Sequence, residues 1–191
     1  GFDPMPFTAA PAKQQREAEG ELLCCLDARG IRVQKPVRGP DGSFVQTEAE
    51  SGALVTLLSW LPGETYNALY PEGDVPEDAA FAAGLAAGAL DRTTNALVAR
   101  FAPVRPRYGV NVLPITAERL RAAADAGNIG GEQLIDMLSA LDAMAPRMRA
   151  AAAEHGVAVC HADISAGNLI YSEKKASLID FSLSGISSPY M

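Results

Sequence analysis

The chain has 191 residues and a formal net charge of −7, with 48% of its residues hydrophobic and 20% charged. That suffices for one domain, or one domain of two small lobes, around a real core. The acidic balance argues against general nucleic-acid binding, which needs a basic excess to neutralise phosphates, and it suits a cationic small substrate. No apolar run approaches the ~20 residues that span a bilayer, so no membrane partner is expected. The N-terminus has no apolar core behind a basic start and does not read as a signal peptide. Cys24 and Cys25 are adjacent and Cys160 sits in an apolar run. They read as reduced thiols of a cytoplasmic protein rather than as a disulfide framework.

Residues to about Pro11 are Pro-rich and aperiodic, and read as an irregular arm. Residues 12–29 are helical in period, with Ala18, Leu22, Cys25 and Leu26 on one face and Gly30 as the stop. From 31 to 61 short apolar runs alternate with turn signals. Asp41-Gly42 predicts a hairpin and Ser51-Gly52 a second turn. The run ALVTLLSWL is continuous and apolar, predicting a strand covered on both sides, and Pro62-Gly63 reads as a linker.

Residues 77–101 predict one Ala-rich helix, with Phe81, Leu85 and Leu97 as its larger apolar side chains. Thr116 is placed to cap a short helix that ends at Gly127. Residues 131–155 predict a long helix with the stripe Leu134, Leu138, Leu141, Ala145, Met148 and Ala152, kinked at Pro146. The end turns strand-like: VAVC, a polar turn HADISAGN, the strand LIY, a turn at SEKK, the strand SLIDF, then a Gly/Ser-rich tail.

The chemistry concentrates in residues 161–180, which read His161-x-Asp163-x-x-x-x-Asn168 and, after a hairpin, Asp180-Phe181-Ser182. Phosphoryl transfer needs a carboxylate to orient the attacking hydroxyl and accept its proton. It also needs oxygen ligands that hold a hard cation against the phosphates. An Asp followed five residues later by an Asn, then an Asp-Phe after a hairpin, has that order. With only His155 and His161 in the chain, a multi-histidine metal site cannot be built.

HADISAGNLIY followed by SLIDFS resembles the aminoglycoside phosphotransferase / choline kinase family. Upstream, REAEGELLCCLDARGI followed by VQKPV resembles that family's helix C and next strand, and ALVTLLSWLPGE resembles its strand into the hinge. The resemblance implies an α+β, protein-kinase-like fold of two lobes. Residues 1–61 would form part of a small antiparallel-sheet lobe, and 62–191 a mainly helical large lobe. It implies Asp163 as the catalytic carboxylate, His161 as a structural brace, and Asn168 and Asp180 as Mg²⁺ ligands. The backbone at Ser59, Trp60 and Leu61 would meet the adenine of ATP. Glu19 would be the helix C acid, with Glu17 and Glu21 as rivals.

Two features depart from the family. No strand hairpin and no strand-borne lysine precede the helix, since the lysines are Lys13, Lys35, Lys174 and Lys175; and the chain stops soon after Asp180-Phe181. The small lobe is therefore expected to be incomplete and the large lobe truncated. Position 162 is Ala where the family has Gly. Two functions stay open: an ATP- and Mg²⁺-dependent phosphotransferase acting on a hydroxyl of an aminoglycoside, amino alcohol or homoserine-like molecule, or a non-catalytic binding module of kinase fold.

Overall fold

A computed structural model describes residues 10–189, so most of the arm expected before Pro11 lies outside the described residues. Helix α1 (Ala12–Asp27) buries Ala18, Leu22, Leu23 and Leu26. Gly30, at φ +80°, turns the chain out of it. Three short strands follow, β1 (Pro36–Val37), β2 (Val45–Thr47) and β3 (Leu54–Leu58). Both β1 and β2 pair antiparallel with β3, β1 against Leu57 and Leu58 and β2 against Leu54 to Thr56.

The hairpin therefore turns at Ser51-Gly52, and Asp41-Gly42 lies in an excursion between β1 and β2, contrary to expectation. That turn closes on itself: Gly42 N donates to Gly39 O at 3.0 Å and Ser43 N to the Asp41 carboxylate at 3.0 Å. An Asp-Gly turn satisfied locally needs no pairing of its flanks. Strand β3 is also not covered on both sides. Its burial alternates, leaving Val55 and Leu57 exposed, as in a sheet with one packed face.

Pro62-Gly63 is not a loose linker. It leads into β4 (Glu64–Thr65), which pairs with β6 (Leu169–Ser172), itself paired with β7 (Lys175–Leu178). Gly63, at φ +116°, passes where a Cβ would collide with the Tyr171 carbonyl. Helices α2 (Tyr66–Leu69) and α3 (Glu77–Thr94) follow. The single helix expected over 77–101 breaks after Thr94 into a 3₁₀ turn and α4 (Val98–Phe101). Thr93 and Thr94 donate their hydroxyls back to Ala89 O and Leu90 O at 2.6 and 3.0 Å, a bond that loosens the backbone ladder. The buried face of α3 is Ala79, Ala82, Leu90 and Thr94, while Phe81 is 67% exposed and Leu85 is exposed too. Alanines permit the close approach of α3 to β7 that a Phe face would prevent.

Helix α5 (Leu113–Asp125) begins before Thr116, which sits inside it and donates to Val112 O at 2.9 Å; Pro114 occupies the first turn, where its missing N–H costs nothing. Helix α6 (Gly131–His155) runs through Pro146. Its predicted stripe is the half-buried side. Strand β5 (Ala158–Cys160) leads to the polar turn, and the Gly/Ser tail forms β8 (Gly185–Ser187), paired antiparallel with β5. One apolar cluster joins α1, α3, β5, β6, β7 and Phe181. Among the described residues no helix is long and apolar enough to cross a membrane.

Candidate functional site

The polar turn between β5 and β6 is built around His161, which is 1% exposed. Asp163 N donates to its Nδ1 at 3.3 Å, so Nε2 carries the proton and donates to Ile179 O at 2.9 Å. The ring lies 4.4 Å from that of Phe181. Burial holds the imidazole pKa below its ordinary value, against the carbonyl bond to Ile179 and the nearby carboxylates of Asp163 and Asp180. A neutral ring with both nitrogens engaged braces the turn and has none free for substrate protons.

Asn168 donates from Nδ2 to both the backbone oxygen and Oδ2 of Asp163, at 3.0 and 2.9 Å. Both acceptors are oxygens without protons, which settles the amide orientation and leaves Asn168 Oδ1 as the group that could ligate a cation. Ile179 N donates to Asn168 O at 3.0 Å, continuing the β6–β7 pairing past Leu169 and Leu178. Asp180, the next residue, is thereby set beside Asn168. It is left-handed, at φ 59° and ψ 70°, and its Oδ1 accepts from Ser182 N at 3.2 Å. Asp163, Asn168 and Asp180 are thus brought together by one loop and one hairpin.

All their candidate donor atoms are oxygens, which fits Mg²⁺, a hard ion that takes one or two side chains and completes its shell with water and phosphate. Among the described residues no three of His, Cys, Asp and Glu cluster as a metal site. The side-chain groups here that could hold such a cation are Asn168 Oδ1 and the Asp180 carboxylate.

The three glutamates of α1 have different surroundings. Glu17 accepts from Phe44 N and Val45 N at 3.0 and 2.9 Å, and Glu21 pairs with Arg100 at 2.9 Å. Glu19 is half-buried, within range of the charges of Arg105, Arg16 and Asp180. Burial raises its pKa, opposed by Arg105 and Arg16 and reinforced by the Asp180 carboxylate. Ser59 has its N–H and carbonyl engaged with Lys35 and Gln34. Trp60, the next residue of the expected hinge, is 88% exposed. The lysines lie elsewhere: Lys35 pairs with Asp27 at 3.1 Å, Lys174 sits in the β6–β7 turn, Lys175 opens β7, and Lys13 is exposed.

Sequence reasoning missed Arg105. It is 2% exposed and donates from Nε to Ser184 O at 2.8 Å, from Nη1 to Gln15 O at 3.1 Å, and from Nη2 to Phe181 O and Ser182 O, both at 2.8 Å, and Ser184 Oγ at 2.7 Å. The segment after Asp180 is bound to α1 through it. Its only sequence signal is a lone cation between Pro103 and Pro106.

Over residues 6–191 the sequence matches the phosphotransferase enzyme family (APH). No curated protein matches it. Similar solved structures include APH(2″)-IIa in complex with gentamicin, with TM-score 0.59, 17% identity, and 93% of this chain and 57% of that one covered. They also include ADP-bound aminoglycoside phosphotransferase APH(2″)-Ib, with TM-score 0.59, 17% identity, and 93% and 57% covered. A choline kinase from Cryptosporidium parvum Iowa II has TM-score 0.57 and 13% identity, with 96% and 50% covered. The chain spans 50–57% of the length of these structures. They share its α+β, kinase-like fold.

Proposed function

Because the chain belongs to the phosphotransferase enzyme family, we propose that it carries the catalytic loop and metal-binding segment of an ATP- and Mg²⁺-dependent phosphotransferase acting on a hydroxyl of a small molecule. The observation that supports this most is the joining of Asp163, Asn168 and Asp180 by the Asn168 amide and the Ile179–Asn168 backbone bond. Asp163 orients the acceptor hydroxyl and takes its proton as the oxygen–phosphorus bond forms. The bond from the γ-phosphorus to the bridging oxygen breaks, and that oxygen leaves on ADP. Asn168 Oδ1 and the Asp180 carboxylate are the groups that would hold Mg²⁺, which neutralises phosphate charge when bound. Trp60 and Leu61 would offer backbone to the adenine, and Glu19 would be the helix acid behind the phosphates. Residues to 61 would belong to a small lobe and those from 62 to a large one. The net charge of −7 favours cationic acceptors, as in the gentamicin and choline names of the structural neighbours.

One observation favours a non-catalytic module instead. None of the lysines is engaged with Glu19 or Asp180, and Lys35 is spent on Asp27. Calorimetric titration with MgATP separates the readings from a mere likeness of fold. The phosphotransferase reading expects binding that depends on Mg²⁺ and is weak, because the phosphates lack a cationic clamp. Binding indifferent to Mg²⁺ would contradict it.

A further inference from the structure

We propose that Arg105 is the positioning residue for Asp180, holding the segment that follows it against helix α1; this rests on the reading of Asp180 as a metal ligand given above. The guanidinium accounts for the carbonyls of Phe181, Ser182 and Ser184, and the Tyr108 hydroxyl donates to the remaining one, Leu183 O, at 2.6 Å. Every carbonyl from 181 to 184 is therefore fixed from one short segment. That segment is itself tied to β8: Ile186 N donates to Pro106 O and Tyr108 N to Ile186 O, both at 2.8 Å. The fixed turn then acts on Asp180 directly, because Ser182 N donates to its carboxylate.

A fully buried cation is costly, and it is retained where its hydrogen bonds are all made and its geometry specifies something an apolar residue could not. Here the planar fork reaches in two directions at once. Nε and Nη2 grip the turn after Asp180, and Nη1 grips Gln15 O on α1. The same guanidinium also lies within range of the charge of Glu19, one helical turn along from Gln15. Lysine offers one rotating point charge and cannot reproduce the fork. Arg105 thus links the position of α1 to the aim of the Asp180 carboxylate.

The test compares ADP affinity by calorimetry in excess Mg²⁺ and in EDTA; the ratio is the metal-dependent gain. Arg105→Lys, with folding checked by circular dichroism, is expected to lower that gain about tenfold, as loss of a group that orients a metal ligand does. Metal-free affinity should stay within about twofold. Ser184→Ala, which removes one acceptor and leaves the guanidinium in place, should lower the gain by a smaller factor of about three; it decides the matter if Arg105→Lys does not fold. An unchanged gain in the folded variants overturns the proposal. So does an equal fall with and without metal, which marks a general structural role. Asp180→Asn serves as the reference. If the wild-type protein shows no gain, or if Asp180→Asn keeps it, the assignment of Asp180 as a ligand has failed. If Asp180→Asn loses it and Arg105→Lys does not, only the Arg105 proposal has failed.

Discussion

Ala162 holds φ at 65° between His161 and Asp163, in the left-handed region where a Cβ crowds the following carbonyl. The turn tolerates this because the bonds of its two neighbours over-determine it. Ala162→Gly should relieve the strain and raise stability by about 1 kcal/mol, the left-handed cost less the extra chain entropy of glycine. Urea denaturation measures it, and a destabilised variant would mean the turn is not under strain. His161 gives the fold a pH dependence. Its folded pKa lies below the ordinary 6.5, so the unfolded chain takes up the proton first as pH falls. Stability from this group is whole above about pH 6.5 and is lost as pH falls through the folded value. The raised pKa of Glu19 acts in the opposite sense, favouring the fold on acidification. The informative quantity is therefore the difference between wild type and His161→Gln. The variant should lose stability overall and show less loss between pH 7 and 5, and equal slopes would contradict the buried-neutral assignment. At this scale Asp163, Asn168 and Asp180 are legible in the sequence because one turn and one hairpin bring them together. Arg105 is not, because its partners lie 79, 90 and 76 residues away in the chain.

Helix α1 docks the small sheet through two devices that no periodicity reveals. Glu17 caps Phe44 N and Val45 N. Gly20, in mid-helix, leaves room for the Phe44 ring: a Cβ there would stand 2.5 Å from Cδ2, 2.6 Å from Cγ and 2.9 Å from Cβ. Phe44 is itself buried, with Arg38 stacked 3.9 Å from its ring centroid, which opposes its swinging aside. Gly20→Ala would gain about 1 kcal/mol in helix propensity and lose about 1–3 kcal/mol to overpacking. The expected result is a net loss of about 1 kcal/mol, read as a lower melting temperature; a gain would show that Phe44 can yield. Elements governed by local signals were legible: α1, α6, and the β6–β7 hairpin fall where period and turn residues place them. Elements governed by distant partners were not. Strand β8 forms from a Gly/Ser tail because β5 lies opposite, and β4 forms beyond a Pro-Gly because β6 does. The exposed Phe81 of α3 shows the same limit: period locates a face, and the neighbour decides how large its residues can be.

At the scale of the molecule, an apolar cluster among the described residues ties α1 to β7 and Phe181, so the helix bearing Glu19 and the turn bearing Asp180 share one support. The kinase-like architecture was legible because order and spacing of motifs survive where identity to structural neighbours is only 13–17%. The central claim is that Asp163 serves the acceptor hydroxyl while Asp180 serves the metal–nucleotide, from one braced loop and the hairpin beside it. The measurement that tests it most directly is kcat alongside MgATP affinity for Asp163→Ala and Asp180→Ala. Asp163→Ala should lower kcat by about 10²–10⁴-fold with nucleotide affinity nearly unchanged, and Asp180→Ala should weaken both. Near-normal turnover by Asp163→Ala, with an acceptor that the wild-type protein phosphorylates, would contradict the account.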